Sequence, residues 1–171
     1  MMPSNTFTLI ASSTVGAGGA SSIDFTSIPS TYTDLVLKIS ARQGAENAFD
    51  ITFNGASTSY AVKRIQGNGS TAVSNDAAGT TSAIRVIGIA SSGSTGNTFG
   101  NSELYIPNYA GSNNKSVSID GVNEDNATEA YMNLAAGIRS NTAAINQITI
   151  TPRAGSIAQY STAYLYGVKS S

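Results

Sequence analysis

The chemistry open to this 171-residue sequence is bounded by what it lacks, because histidine, cysteine and tryptophan are all absent. Histidine is the commonest general base and cysteine the best thiol nucleophile, so two usual routes to catalysis are closed. Hydrolase triads that use histidine, and zinc sites built from His or Cys, are excluded. Ten carboxylates remain: Asp24, Asp34, Glu46, Asp50, Asp76, Glu103, Asp120, Glu124, Asp125 and Glu129. A glycosidase needs two of them facing one another in a cleft, and no pair here sits in a catalytic motif. The expectation is a protein that is not an enzyme, with no cofactor and no metal site.

The densest acidic stretch runs from Asp120 to Glu129. Oxygen ligands at that density suit Ca²⁺, but the regular Asp-x-Asp-x-Asp-Gly loop spacing is missing, so a solvated turn between two strands is the competing reading. Gly16, Gly18 and Gly19 precede no helical pattern and therefore read as turn formers and not as a phosphate cradle. Asn68, Asn114 and Asn126 each begin an Asn-x-Ser/Thr triplet, which has no meaning in a chain without a secretory leader. Tyr160, Tyr164 and Tyr166 share a parity with Thr162 and Val168, which puts them on one face of a terminal strand. Such a row can pack inward, anchor a subunit contact or stack on a sugar ring.

The elements that must position these residues are strands. Leu35, Leu37, Ile39 and Ala41 alternate with Asp34, Lys38, Ser40 and Arg42, Val36 being the exception, and Phe49, Ile51 and Phe53 repeat the pattern before the hairpin-turn pair Asn54-Gly55. Similar runs recur at 6–12, 22–26, 59–66, 82–90, 98–106, 115–122, 129–139, 144–151 and 160–169. About eleven strands are too many for one ordinary sheet, which predicts an all-β, antiparallel, two-sheet sandwich of jelly-roll-like form. Residues 67–81 and 108–114 read as loops. The Gly-rich segment 15–20 reads as a loop that leaves 1–14 as a first strand or an N-terminal arm. With no second core and no long linker, 1–171 is one domain.

Charged residues make up 11% of the chain, against roughly 25% in an average soluble domain. Serine, threonine, asparagine and glycine take their place, giving surfaces that cost less to desolvate than charged ones. The formal net charge is −1 and Lys63-Arg64 is the single adjacent basic pair, so the electrostatic footprint of a nucleic-acid binder is missing. No apolar stretch approaches the ~20 residues that span a bilayer, and the N-terminus lacks a signal-peptide pattern. Neither nucleic acid nor membrane is expected as a partner, and synthesis in a cytoplasm is expected.

Three stretches, Gly18 to Arg42, Phe99 to Thr128 and Ile145 to Ser171, together resemble a group of virion structural proteins of tailed bacteriophages from aquatic bacteria. The resemblance covers most of the chain, with 67–81 the least familiar part, and it carries no catalytic motif. It implies a capsid cement or decoration protein on the outer capsid surface of the virion, made in the host cytoplasm. Its implied partners are the major capsid protein and itself, as a homotrimer. The alternative it implies is a tail fibre or receptor-binding tip domain that reads a host glycan. Because the strand pattern begins near residue 6 with no fibrous stem, cement is the favoured expectation. A free carbohydrate-binding module is the third, weakened by the absence of tryptophan. The candidate interface residues are Phe7, Leu9, Tyr160, Tyr164 and Tyr166.

Overall fold

The computed structural model describes residues 6–125 and 129–169, with the side chains of 75–80, 125 and 129 outside that description. Among the described residues there is no helix, and twelve strands form. They are β1 (Phe7–Thr14), β2 (Ile23–Phe25), β3 (Asp34–Ala41), β4 (Ala48–Phe53), β5 (Tyr60–Gly67), β6 (Ala72–Thr81), β7 (Ile84–Ile87), β8 (Gly100–Ile106), β9 (Lys115–Asp125), β10 (Glu129–Arg139), β11 (Ile148–Pro152) and β12 (Thr162–Val168). Their antiparallel pairings make an eight-stranded sheet, β1-β12-β3-β8-β9-β10-β5-β6, and a four-stranded sheet, β2-β11-β4-β7. The protein is a two-sheet β-sandwich.

Alternation explains how the sheets stack. Leu35, Leu37, Ile39 and Ala41 of β3 join Leu104 and Ile106 of β8 and Val117 and Ile119 of β9 on the inner face of the large sheet. Phe49, Ile51 and Phe53 of β4, with Ile148 and Ile150 of β11, answer from the small sheet and complete one buried cluster. Val36 is buried too, but it points outward. It lies in register between Tyr166 of β12 and Tyr105 of β8, two rings large enough to shield it.

Three sequence expectations are corrected. The stretch 67–81, read as a loop, contains β6, whose ladder with β5 runs from Gly67↔Ala72 to Tyr60↔Thr81. Its small residues carry little strand preference of their own, so the neighbouring strand supplies what local sequence does not. The run 82–90 shortens to β7. Asn54 and Gly55 do adopt the paired positive φ of a tight turn, at 54° and 66°, yet the turn joins the two sheets and closes no hairpin. Asn54 instead holds the approach to β11, accepting the N–H groups of Asn146 at 2.9 Å and Gln147 at 3.2 Å.

Polar groups pin the loops around this frame. Lys115 is buried at the start of β9, and its ammonium donates to the carbonyls of Gly111 at 2.6 Å, Asn113, and Thr142 at 3.4 Å. Arg139, opposite it in register on β10, lies 4.6 Å over the Tyr60 ring and donates to the Thr58 carbonyl. The Tyr60 hydroxyl accepts the Phe53 N–H at 2.7 Å, tying β5 to β4 across the sandwich. Where β7 ends, Gly88 has φ 109° and runs so close to β9 that a Cβ there would meet the Gly121 backbone at 2.9 Å. That contact sets how tightly the small sheet presses on the large one.

Candidate functional site

The two outer faces of the sandwich differ in chemistry. On the small sheet, Thr52, Thr149 and Thr151 stand outward with Asp24, Asp50 and Arg85. Asp24 accepts hydroxyl protons from Ser22 and Thr149, both at 2.6 Å, and Arg85 pairs with Asp50 at 3.8 Å. Partial burial pushes the Asp50 carboxyl above its ordinary value, with Glu46 adding to the shift and Arg153 opposing it. This is an ordinary solvated sheet face.

The large sheet is the unusual one. Along β10, Tyr131, Asn133, Ala135, Gly137 and Arg139 take the inner positions, while Met132, Leu134, Ala136 and Ile138 face outward. The expected arrangement of apolar inside and polar outside is inverted here. A small inner row is what lets β7 approach: a Cβ on Gly137 would sit 3.1 Å from Ile84. The aliphatic row is left outside, and Ile65 of β5 and Val122 of β9 extend it. Ile65, Met132 and Leu134 are 59%, 55% and 50% exposed. An open depression of about 590 Å³ lies among Ile65, Leu134, Ala136, Lys63 and Ser118.

Toward the other edge of the same face the chemistry turns polar and aromatic. One rung carries Tyr164, Lys38, Glu103 and Asp120 side by side on β12, β3, β8 and β9. Lys38 and Glu103 form an ion pair at 2.6 Å. The hydrogen bond to Glu103, and then its charge, raise the Lys38 pKa, burial opposing the shift and Tyr166 and the more distant Asp120 adding a little to it. A second depression, about 420 Å³, opens among Tyr164, Tyr166, Lys38, Asn101, Glu103 and Asp120. Beyond it Tyr105 donates to Asp34 at 2.6 Å, a bond that pushes its phenol pKa up.

The structure brings four of the five expected interface residues together. Phe7 and Leu9 of β1 pair with Val168 and Tyr166 of β12, and Tyr164 pairs with Ser12, all on the outer face of the large sheet. Tyr164 and Tyr166 thus face away from the core. Tyr160 does not join them. It precedes β12 with φ 69°, donates its N–H to Val15 and is 69% exposed. A positive φ breaks the extended alternation, so its parity with Tyr164 carries no meaning. Residues 7–14 are a first strand in the chain's own sheet. Among the described residues, every other large exposed apolar side chain except Val73 lies on this one face.

The acidic stretch divides. Asp120 joins the outer rung beside Glu103, whereas Glu124 caps the 91–98 loop. Its carboxylate accepts the Thr95 N–H at 2.7 Å and the Thr95 and Thr98 hydroxyls at 3.0 and 2.7 Å. Arg42 holds the same loop by donating to the carbonyls of Thr95 and Thr98. Residues 126–128 and the side chains of Asp125 and Glu129 lie outside the described residues, and among those described no three metal-ligating side chains gather.

Residues that sequence reasoning passed over are Ile65, Val122, Met132, Leu134 and Ile138. A signal for part of them existed in β10, where one parity holds Met, Leu, Ala and Ile and the other holds Tyr, Asn, Ala, Gly and Arg. No protein-family model, curated protein or solved structure matches the chain.

Proposed function

We propose that this chain is a non-enzymatic structural protein of a phage particle, a capsid cement or decoration protein that docks on the major capsid protein through the outer face of its large sheet. The inverted alternation of β10 carries the reading. It exposes a continuous aliphatic row where a free-standing sandwich places polar residues, while the opposite outer face stays hydrophilic. Several hundred Å² of contiguous carbon is the scale at which an exposed patch marks an interaction surface. Eight strands at ~4.8 Å spacing are about 34 Å across, and their length gives a face on the order of 800 Å², one side of a standard specific interface. The resemblance to virion structural proteins supplies the kind of partner. The aliphatic part of the face meets a coat lattice at little desolvation cost, while Lys38, Glu103 and Asp120 toward the other edge suit a polar rim.

The test is rebinding of purified protein to particles stripped of it. Burying the remaining half of Ile65, Met132 and Leu134 is worth about 1 kcal/mol each, so replacing all three with serine weakens binding by roughly 100-fold. Unchanged binding, or a copy number per particle far below that of the coat subunits, refutes the reading.

A second reading, a receptor-binding domain that takes a host glycan, is favoured by the depression beside Tyr164. There an exposed ring adjoins Lys38, Asn101, Glu103 and Asp120, donors and acceptors suited to sugar hydroxyls. Glycan-array binding that is lost in Tyr164→Ala supports it, and a blank array removes it.

A further inference from the structure

Among the described residues the eight-stranded sheet ends at β1, and β1 is an edge without the usual protection. Its sequence, Phe-Thr-Leu-Ile-Ala-Ser-Ser-Thr, contains no charge and no proline over eight residues. Natural proteins block edges of this length because unpaired N–H and C=O groups template the addition of another strand.

The strand has a second property. It bulges between Leu9 and Ala11, where Ile10 is inserted relative to β12. The bulge resets which face each residue takes, so exposure along the strand reads exposed, half-buried, exposed, half-buried, half-buried, exposed, half-buried, exposed. Ile10 and Ala11 both pack toward the core. The order is the same from either end. A regular eight-residue strand alternates throughout and reads oppositely from its two ends.

The backbone follows the same symmetry. Lys169 donates to the Thr6 carbonyl at 3.0 Å and Val15 donates to the Ser161 carbonyl at 2.8 Å, which places Thr6 and Val15 in the ladder with β12. Stepping by two from each end puts Thr8 and Ser13 in that ladder as well. The groups of Phe7, Leu9, Ser12 and Thr14 are thereby directed at the free edge.

We propose that the free edge of β1 pairs with β1 of a second copy of this chain, antiparallel across a two-fold axis between Ile10 and Ala11. In that register Phe7 opposes Thr14 of the partner and Leu9 opposes Ser12, every pair joining outward residue to outward residue and edge-facing groups to edge-facing groups. Thr8 opposes Ser13 and Ile10 opposes Ala11 on the core side. No other register pairs all eight residues with their faces matched, because the bulge centres the strand's symmetry at that point. The four outward pairs exchange about eight backbone hydrogen bonds. The axis runs perpendicular to the sheet, so both outer faces look the same way, and Phe7 and Leu9 of each copy lie along the join against Thr14 and Ser12 of the other.

The pairing stands on the edge alone and not on the reading of the face as a docking surface. Sedimentation equilibrium of the full chain is expected to show twice the 17.4 kDa chain mass. The double variant Leu9→Lys with Ser12→Lys opposes lysine to lysine across the axis and is expected to be monomeric. Leu9→Lys with Ser12→Glu carries as many charged substitutions but opposes unlike charges, and is expected to remain dimeric. Ser12→Pro removes an N–H directed away from β12 and is expected to be monomeric with its far-ultraviolet spectrum unchanged. A monomeric wild type, a trimer of the kind the resemblance implies, or a double-lysine variant as dimeric as the wild type overturns the proposal. A monomer that still binds particles overturns this pairing and leaves the docking face standing; a dimer that ignores particles does the reverse.

Discussion

Lys115→Met tests whether one buried cation holds two loops against the sandwich. Lys115 is 2% exposed, and its ammonium is shared among carbonyls of the 107–114 and 140–145 segments. Methionine keeps an unbranched stem of similar length, so the packing around the aliphatic part survives. What is lost is the donor. The carbonyls of Gly111, at 2.6 Å, and Asn113 lose that partner, while the Thr142 contact at 3.4 Å is long and counts for little. Gly111 is half-buried and Asn113 exposed, so water can take up the second acceptor, and leaving the first one unpaired costs about 1–3 kcal/mol. Against this stands relief from burying a charge, since desolvation lowers the Lys115 pKa below the ordinary lysine value. The balance is a loss of about 1–2 kcal/mol. For a chain of this length each kcal/mol moves Tm by ~2–4 °C, so calorimetry is expected to show a fall of roughly 2–8 °C. Lys63→Met, at an exposed position, stays within about 0.5 kcal/mol of the wild type. Amide exchange in 107–114 and 140–145 accelerates in Lys115→Met and not in the control. A Tm unchanged or raised would refute the reasoning and leave these loops held by packing alone.

Two further outcomes follow from polar contacts elsewhere. Glu124→Gln removes the charge and one acceptor from the cap on the 91–98 loop, with an expected loss of about 1–2 kcal/mol in urea unfolding and faster exchange at the Thr95 amide; an unchanged midpoint counts against the cap. Asp50 has a folded pKa above its unfolded value of 3.8, so the folded state binds the extra proton in the window between the two. Its contribution to stability therefore falls as pH rises through that window, and Asp50→Asn is expected to gain on the wild type from pH 3 upward in a Tm series. A difference between the two that is flat with pH, or that moves the other way, contradicts the assignment.

Much of the fold was legible locally. Leu35, Leu37, Ile39 and Ala41 face the core because two-residue periodicity is a property of the extended backbone and needs no knowledge of partners. The same reasoning located the Phe49–Phe53 strand and the terminal strand carrying Tyr164 and Tyr166. It did not reach β6, whose Ala, Ser and Gly become a strand through the ladder offered by β5. Nor did it extend to Tyr160, where one positive φ ends the periodicity ahead of β12.

What the sequence by itself determined is which residues share a face and which functions lack the side chains they need, since both follow from backbone geometry and the chemistry of individual groups. For β10, which of the two faces is inside was decided only by the tertiary structure. The row Met132, Leu134, Ile138 looks like a core row in isolation. It is outside because Gly137 and Ala135, on the other parity, let β7 come close enough to occupy the interior. Burial depends on what arrives from distant parts of the chain, as β12 reaches β1 and β3 from the opposite end of the sequence, and alternation records only that two faces differ.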